Sequence, residues 1–176
     1  GSDAISAVIC MTNWRIGRRI ILEEQHGETR AEYGKAIINS LSKKLVVEYG
    51  NNKSISPRDL RNYRQFYLTF RDFEIWYARV PNLNWTHYRS LLRVQNEDAR
   101  KWYLAEASKE HWSTRTLERN INSQYYFRLL QSPKRDAVVA EMKTKTADYD
   151  NHKLEFLKNP IVAEFLGLSQ NNDFTE

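Results

Sequence analysis

Ser56-Pro57-Arg58-Asp59-Leu60-Arg61-Asn62-Tyr63-Arg64-Gln65-Phe66-Tyr67-Leu68-Thr69-Phe70 is the stretch whose reading decides the fold. Ser56 is a helix N-cap, able to accept a hydrogen bond from an orphan amide of the first turn, and Asp59 can complete the cap. Pro57 fits the first turn because its missing N–H would go unpaired there in any residue. At about 100° per residue, Leu60, Tyr63, Phe66, Tyr67 and Phe70 fall on one face, and Arg58, Arg61, Asn62, Arg64 and Gln65 fall away from it. The first set predicts a buried stripe, the second an exposed one.

Upstream, the same 3.6-residue period continues. Ile9, Trp14, Ile16, Ile20 and Ile21 predict a helix over residues 4–25, with Gly27 at its end. Thr29 and Glu32 have capping-box spacing, and Ile37, Ile38, Leu41, Leu45 and Val46 form the apolar face of a second helix that Gly50 ends. Downstream, Pro81-Asn82-Leu83-Asn84 is a polar link into a helix over 86–94, and Asn96 caps a helix over 97–108. Ser113 caps one that runs to about Gln131, and Ser132-Pro133 restarts a helix to about 145. The fold class predicted is all-α.

Ser56-Pro57-Arg58-Asp59-Leu60 and Ser113-Thr114-Arg115-Thr116-Leu117 share the pattern Ser-x-Arg-x-Leu. Both open a helix after a helix and a turn, which predicts two helix-turn-helix-like units. A short hairpin near 51–56 or 71–85 would make the arrangement winged. The organisation expected is a helical domain over 1–131, a C-terminal helical segment over 132–168 that docks on it, and the start of a linker over 169–176. In the docking segment, Pro160 divides an extended stretch from a short helix.

Composition narrows the function. Hydrophobic residues make up 41% and aromatics 12%, too much apolar character for a disordered chain. A single cysteine, Cys10, excludes a disulfide framework, and no apolar run reaches transmembrane length. A cytoplasmic protein without a membrane partner is the expectation. The net charge of +5 is concentrated centrally: residues 53–128 carry 14 basic and 8 acidic side chains. Such a surplus suits a polyanion, because cations that neutralise phosphates release counterions.

Arg and Asn or Gln are the side chains that pair with guanine and adenine edges, and Arg also grips phosphate. Arg58, Arg61, Asn62, Arg64 and Gln65 on one helix, with Arg115, Arg119 and Asn122 on the other, are therefore the candidate nucleic-acid-binding residues. Each set also fits an ordinary solvated helix face. Core packing is the expected role of most of Trp14, Trp76, Trp85, Trp102 and Trp112. His26, His87, His111 and His152 lack metal-ligand spacing, and no catalytic residue, metal site or cofactor is expected. Val138-Val139-Ala140-Glu141-Met142-Lys143 imitates the Glu-x-Lys of metal-dependent nucleases but scans as helix, so the match is read as coincidence.

Taken together, Asn13-Trp14-Arg15-Ile16-Gly17, Tyr33-Gly34-Lys35, Leu41-Ser42-Lys43-Lys44-Leu45, Ser56-Pro57-Arg58-Asp59-Leu60, Arg64-Gln65-Phe66-Tyr67, Leu83-Asn84-Trp85-Thr86-His87, Trp112-Ser113-Thr114-Arg115-Thr116-Leu117 and Asn159-Pro160-Ile161-Val162-Ala163-Glu164-Phe165-Leu166-Gly167-Leu168 resemble the N-terminal domain of the YhcG-like bacterial proteins. The resemblance implies a DNA-binding, targeting domain that precedes a PD-(D/E)XK nuclease domain. Its implied partners are duplex DNA and the missing C-terminal nuclease domain. The alternative is a dimerisation or protein-docking module that positions the nuclease or a partner, with a homodimer as one form.

Overall fold

The computed structural model describes residues 1–25, 31–50, 55–80 and 82–158, with the side chains of 2, 31–33, 49 and 148–158 left aside. Those residues form nine α-helices and no strand: α1 (Ser2–Gln25), α2 (Ala31–Tyr49), α3 (Pro57–Thr69), α4 (Phe73–Trp76), α5 (Trp85–Leu91), α6 (Glu97–Lys109), α7 (Thr114–Asn122), α8 (Tyr125–Gln131) and α9 (Arg135–Lys158), with a 3₁₀ turn at Tyr77–Arg79 after α4. The chain divides into two compact units, Gly1–Leu117 and one beginning at Glu118, so the division falls inside α7.

In the first unit, α1 lies across α3 at very short range. The crossing point is Gly17: a Cβ there would stand 1.9 Å from the Tyr63 carbonyl oxygen. Only a residue without a side chain lets the two backbones meet so closely. One turn earlier the indole of Trp14 donates from Nε1 to the Phe70 carbonyl, 2.8 Å away and buried. Ile20 of α1, Ile38 of α2, and Leu60 and Tyr63 of α3 are buried together, with Ile16, Leu41, Leu45 and Trp85 packed around them. On α2, Ser42 donates to the Ile55 carbonyl at 2.7 Å, which holds the approach to α3 in place.

A second, aromatic core is centred on Phe66 and Tyr88. Phe66 has Phe70, Phe73, Trp85 and Tyr88 at 5.0–5.6 Å between ring centroids, mostly edge-on, as ring quadrupoles prefer. All five tryptophans make ring contacts, and Trp14 and Trp112 are buried, so packing accounts for them.

Asn84 and His87 close a reciprocal capping box at α5: the His87 amide donates to Asn84 Oδ1, and the Asn84 amide donates to His87 Nδ1. With Nδ1 accepting, Nε2 carries the proton and donates to the Trp112 carbonyl at 2.8 Å. Burial therefore pushes the His87 pKa below the ordinary 6.5, against the opposing pull of the Trp112 carbonyl. The end of α6 is a Schellman turn, with the Trp112 amide donating to the Ala107 carbonyl and His111 at φ 52°. Asn82 ties that turn down: its Nδ2 donates to the Ser108 carbonyl at 2.9 Å, and the Ser108 hydroxyl donates to its Oδ1 at 2.9 Å.

In the second unit, Gln124 stands at φ 57° between α7 and α8. The single helix expected from Ser113 to Gln131 is thus two. The Ser123 hydroxyl donates back to the Asn120 carbonyl, and the Gln124 amide bonds the Ile121 carbonyl in a tightened last turn. α8 packs on α9, and Arg128 pairs with Glu141 at 3.6 Å. α9 extends well past the expected end near 145, to Lys158. The stretch expected to be extended before Pro160 is helical to Lys158, since the proline restricts only Asn159 before it. Docking of the remainder, through residue 168, lies outside the described residues. So does one of the two sites considered for a wing, 51–54. At the other, α4 and the 3₁₀ turn replace the hairpin, because Phe73 and Trp76 are drawn into the aromatic core at helical spacing.

Candidate nucleic-acid interface

The face of α3 is set by its cap and its buried stripe. The Ser56 hydroxyl accepts from the Asp59 amide at 3.2 Å and donates to Asp59 Oδ2 at 2.5 Å, which fixes the first turn. Leu60, Tyr63, Phe66 and Phe70 are buried, and Tyr67 is half-buried. Arg58, Arg61 and Gln65 are then forced outward and are exposed, with Asn62 half-buried beside them. Gln65 donates to Thr69 Oγ1 along the same helix at 3.2 Å.

Arg64 differs from the sequence expectation. Its Nε and Nη2 grip both oxygens of Glu24 on α1, at 2.8 and 2.9 Å. The helical wheel explains this: Arg64 is only about 40° from Leu60, at the α1 edge of the buried stripe rather than outside it. A two-toothed, partly buried pair of this kind locks α3 to α1 and takes the guanidinium away from the outward face. Next to it, a Cβ on Gly34 would meet Glu24 Oε1 at 2.9 Å, so α2 confines the same carboxylate.

α7 repeats the local plan. The Ser113 hydroxyl accepts from the Thr116 amide at 3.1 Å and donates to Thr116 Oγ1 at 3.0 Å. Leu117 is wholly buried, as Leu60 is, and Arg115 is exposed, as Arg58 is. The Ser-x-Arg-x-Leu repeat is therefore a repeated device: a reciprocal cap, a leucine anchor one turn in, and an arginine aimed outward between them. Further along α7, Arg119 is half-buried and Asn122 exposed.

Sequence reasoning passed over Arg89. It is exposed on α5, and its charge reaches the Tyr63 phenol, which burial and the Asp59 carboxylate push up to about 12 against the pull of Arg89. The available signal was its place four residues after Trp85, on the side of α5 that meets α3. Glu141 and Lys143 lie on helix α9, and Glu141 is held by Lys145 at 2.6 Å, so the nuclease-like Glu-x-Lys has no strand to sit on. Among the described residues no group of three potential metal ligands gathers, and no helix is long and apolar enough to cross a membrane.

These features define an all-α domain with a capped, arginine-bearing helix held outward by an aromatic core. Residues 2–128 match the DUF1016 N-terminal domain, and the chain belongs to that family. It is similar to a protein of Escherichia coli strain K12 named "Putative nuclease YhcG", with 33% identity over 207 aligned positions that include 98% of this chain. The chain spans 54% of that relative's length. No solved structure matches it.

Proposed function

We propose that this chain is the DNA-binding, targeting part of a nuclease, without a catalytic site among its own residues. Arg58 and Arg61 hold duplex phosphates, Asn62 and Gln65 face the bases or sugars, and Arg115, Arg119 and Asn122 of α7 add contacts. Arg64 acts as a positioning residue through Glu24. The observation that carries the reading is the α3 face: two arginines exposed on a helix whose rotation is fixed by a reciprocal cap and four buried side chains. The fixed helix sets where the two arginines start, and each guanidinium offers a planar fork of donors that matches phosphate oxygens. The relative's name supplies the nuclease, and its greater length leaves room for that activity outside this chain. Titrating a fluorescent duplex at rising salt tests this. A linear fall of log affinity with log salt is expected, at about 0.9 per phosphate neutralised. No binding at low salt would overturn it.

Self-association is a second reading, favoured by one specific observation. Ile5, Val8 and Ile9 of α1 are 63, 65 and 46% exposed at helical spacing. Asp3 is the lone charged side chain in the first fourteen residues, so a second copy would meet no like charge on that strip. Sedimentation of wild type and Val8→Glu distinguishes the readings: a dimer lost in the variant, with DNA ignored, would favour self-association over DNA binding.

A further inference from the structure

We infer that the phosphate-binding face of α3 continues onto α5, with Arg89 as an additional backbone contact. This rests on the DNA-binding reading above. Trp85, at the start of α5, stacks edge-on against Tyr63 and Phe66 of α3, at 5.3 and 5.2 Å between centroids. Arg89 is one turn further on, about 40° round from Trp85, and so stands on the side of α5 that meets α3. It is exposed, and its field falls on the Tyr63 hydroxyl together with that of Asp59. On α3, Asp59 and Tyr63 lie along the α5 edge, and Asn62 and Arg58 border that edge on the outward side. Arg89 and the Arg58–Asn62 stripe thus belong to neighbouring strips of one surface.

The charges around Arg89 leave it available to a phosphate. Asp59, whose field also falls on Tyr63, already accepts the Ser56 hydroxyl and sits within the cap of α3. Among the described residues Arg89 makes no ion pair, whereas Arg15, Arg19, Arg64 and Lys101 are matched with Glu74, Glu23, Glu24 and Glu97. The aromatic packing beneath fixes the separation of α3 and α5, so the helix positions that carry Arg58 and Arg89 are held at a set spacing. Rigid spacing suits a backbone of regularly spaced phosphates.

The test uses the whole chain and one labelled duplex, with Arg89→Ala, Arg89→Lys, Arg61→Ala and Lys43→Ala compared over a salt series. Arg89→Ala is expected to weaken binding several-fold, equally for unrelated sequences, and to lower the salt slope by about one. Arg89→Lys keeps the slope, and Lys43→Ala, on α2, leaves both quantities unchanged. Thermal melts confirm that each variant is folded. If Arg61→Ala weakens binding while Arg89→Ala behaves like Lys43→Ala, the extension onto α5 is wrong and the α3 reading survives. If the wild type ignores duplex DNA at low salt, both fall. If all four variants lose affinity alike, binding is diffuse and Arg89 has no assigned place.

Discussion

Gly17→Ala puts the helix crossing to its sharpest test. On intrinsic grounds the change should help, because alanine in a helix interior is favoured over glycine by about 1 kcal/mol. The tertiary setting opposes it. The new methyl would lie 1.9 Å from the Tyr63 oxygen, 2.5 Å from its carbonyl carbon and 3.1 Å from the Arg64 nitrogen. All three are backbone atoms inside α3, so no side-chain rotation can relieve the overlap. Reaching an ordinary contact near 3.4 Å requires α1 and α3 to part by about 1.5 Å, which loosens a close-packed interior. That gap would open beneath Trp14, Ile20, Leu60 and Tyr63, all buried at the crossing. Overpacking typically costs about 1–3 kcal/mol, and a rigid backbone obstacle argues for the upper end. After the propensity gain, a net loss of about 2 kcal/mol or more remains. At about 2–4 °C per kcal/mol, the melting temperature should fall by roughly 4–8 °C. Thermal and urea unfolding followed by circular dichroism measure this. Gly34→Ala is the internal comparison: its methyl would press on the Glu24 side chain rather than on backbone, so it should cost less than Gly17→Ala while loosening the Arg64–Glu24 pair. An unchanged or raised midpoint for Gly17→Ala would falsify the crossing geometry.

Other perturbations reach separate links of the same argument. Trp14→Phe keeps most of the apolar volume but leaves the buried Phe70 carbonyl without its indole donor, and should cost about 1–3 kcal/mol in urea unfolding. Ser56→Ala and Ser113→Ala should each cost about 1 kcal/mol by removing a cap, and two very unequal losses would mean that the repeated motif does not do the same job twice. His87 has a depressed folded pKa, so below pH 6.5 the unfolded chain takes up a proton that the folded imidazole resists. Stability should therefore fall as pH drops from about 6.5, and His87→Gln should flatten that part of the curve; identical pH profiles for the two proteins would contradict the depressed pKa of His87.

Much of the fold was legible because its signals are local. The caps at Ser56, Asn96 and Ser113 are written within four residues, and each is realised by a side-chain oxygen on the amide three positions on. Gly50 ends α2 at φ 81°, as its position after the last apolar residues predicts. What could not be read was non-local. Nothing near Gly17 in sequence shows that the Tyr63 backbone will lie against it, and nothing near Arg64 shows Glu24, forty residues away. The break at Gln124 was missed for another reason: a left-handed glutamine carries no turn signature of the kind that glycine or asparagine gives.

The candidate interface divides along the same line. A helical wheel sorted Arg58, Arg61 and Gln65 correctly as outward, because they stand about 100° or more from Leu60. It failed for Arg64 at the margin, where a neighbouring helix decides whether a long cation faces water or a carboxylate. It also left out Arg89, whose relevance depends on α5 packing beside α3 through Trp85. The residues that a sequence assigns most securely to a binding face are thus those furthest round from the core. The residues at the edges are settled by tertiary neighbours: Glu24 draws one arginine into the fold, and the packing of α5 on α3 leaves the other exposed. If binding follows that geometry, Arg64→Ala should lower thermal stability together with affinity, whereas Arg61→Ala should lower affinity alone. Equal melting temperatures for the two variants would remove the distinction between a residue that holds the surface and a residue that uses it.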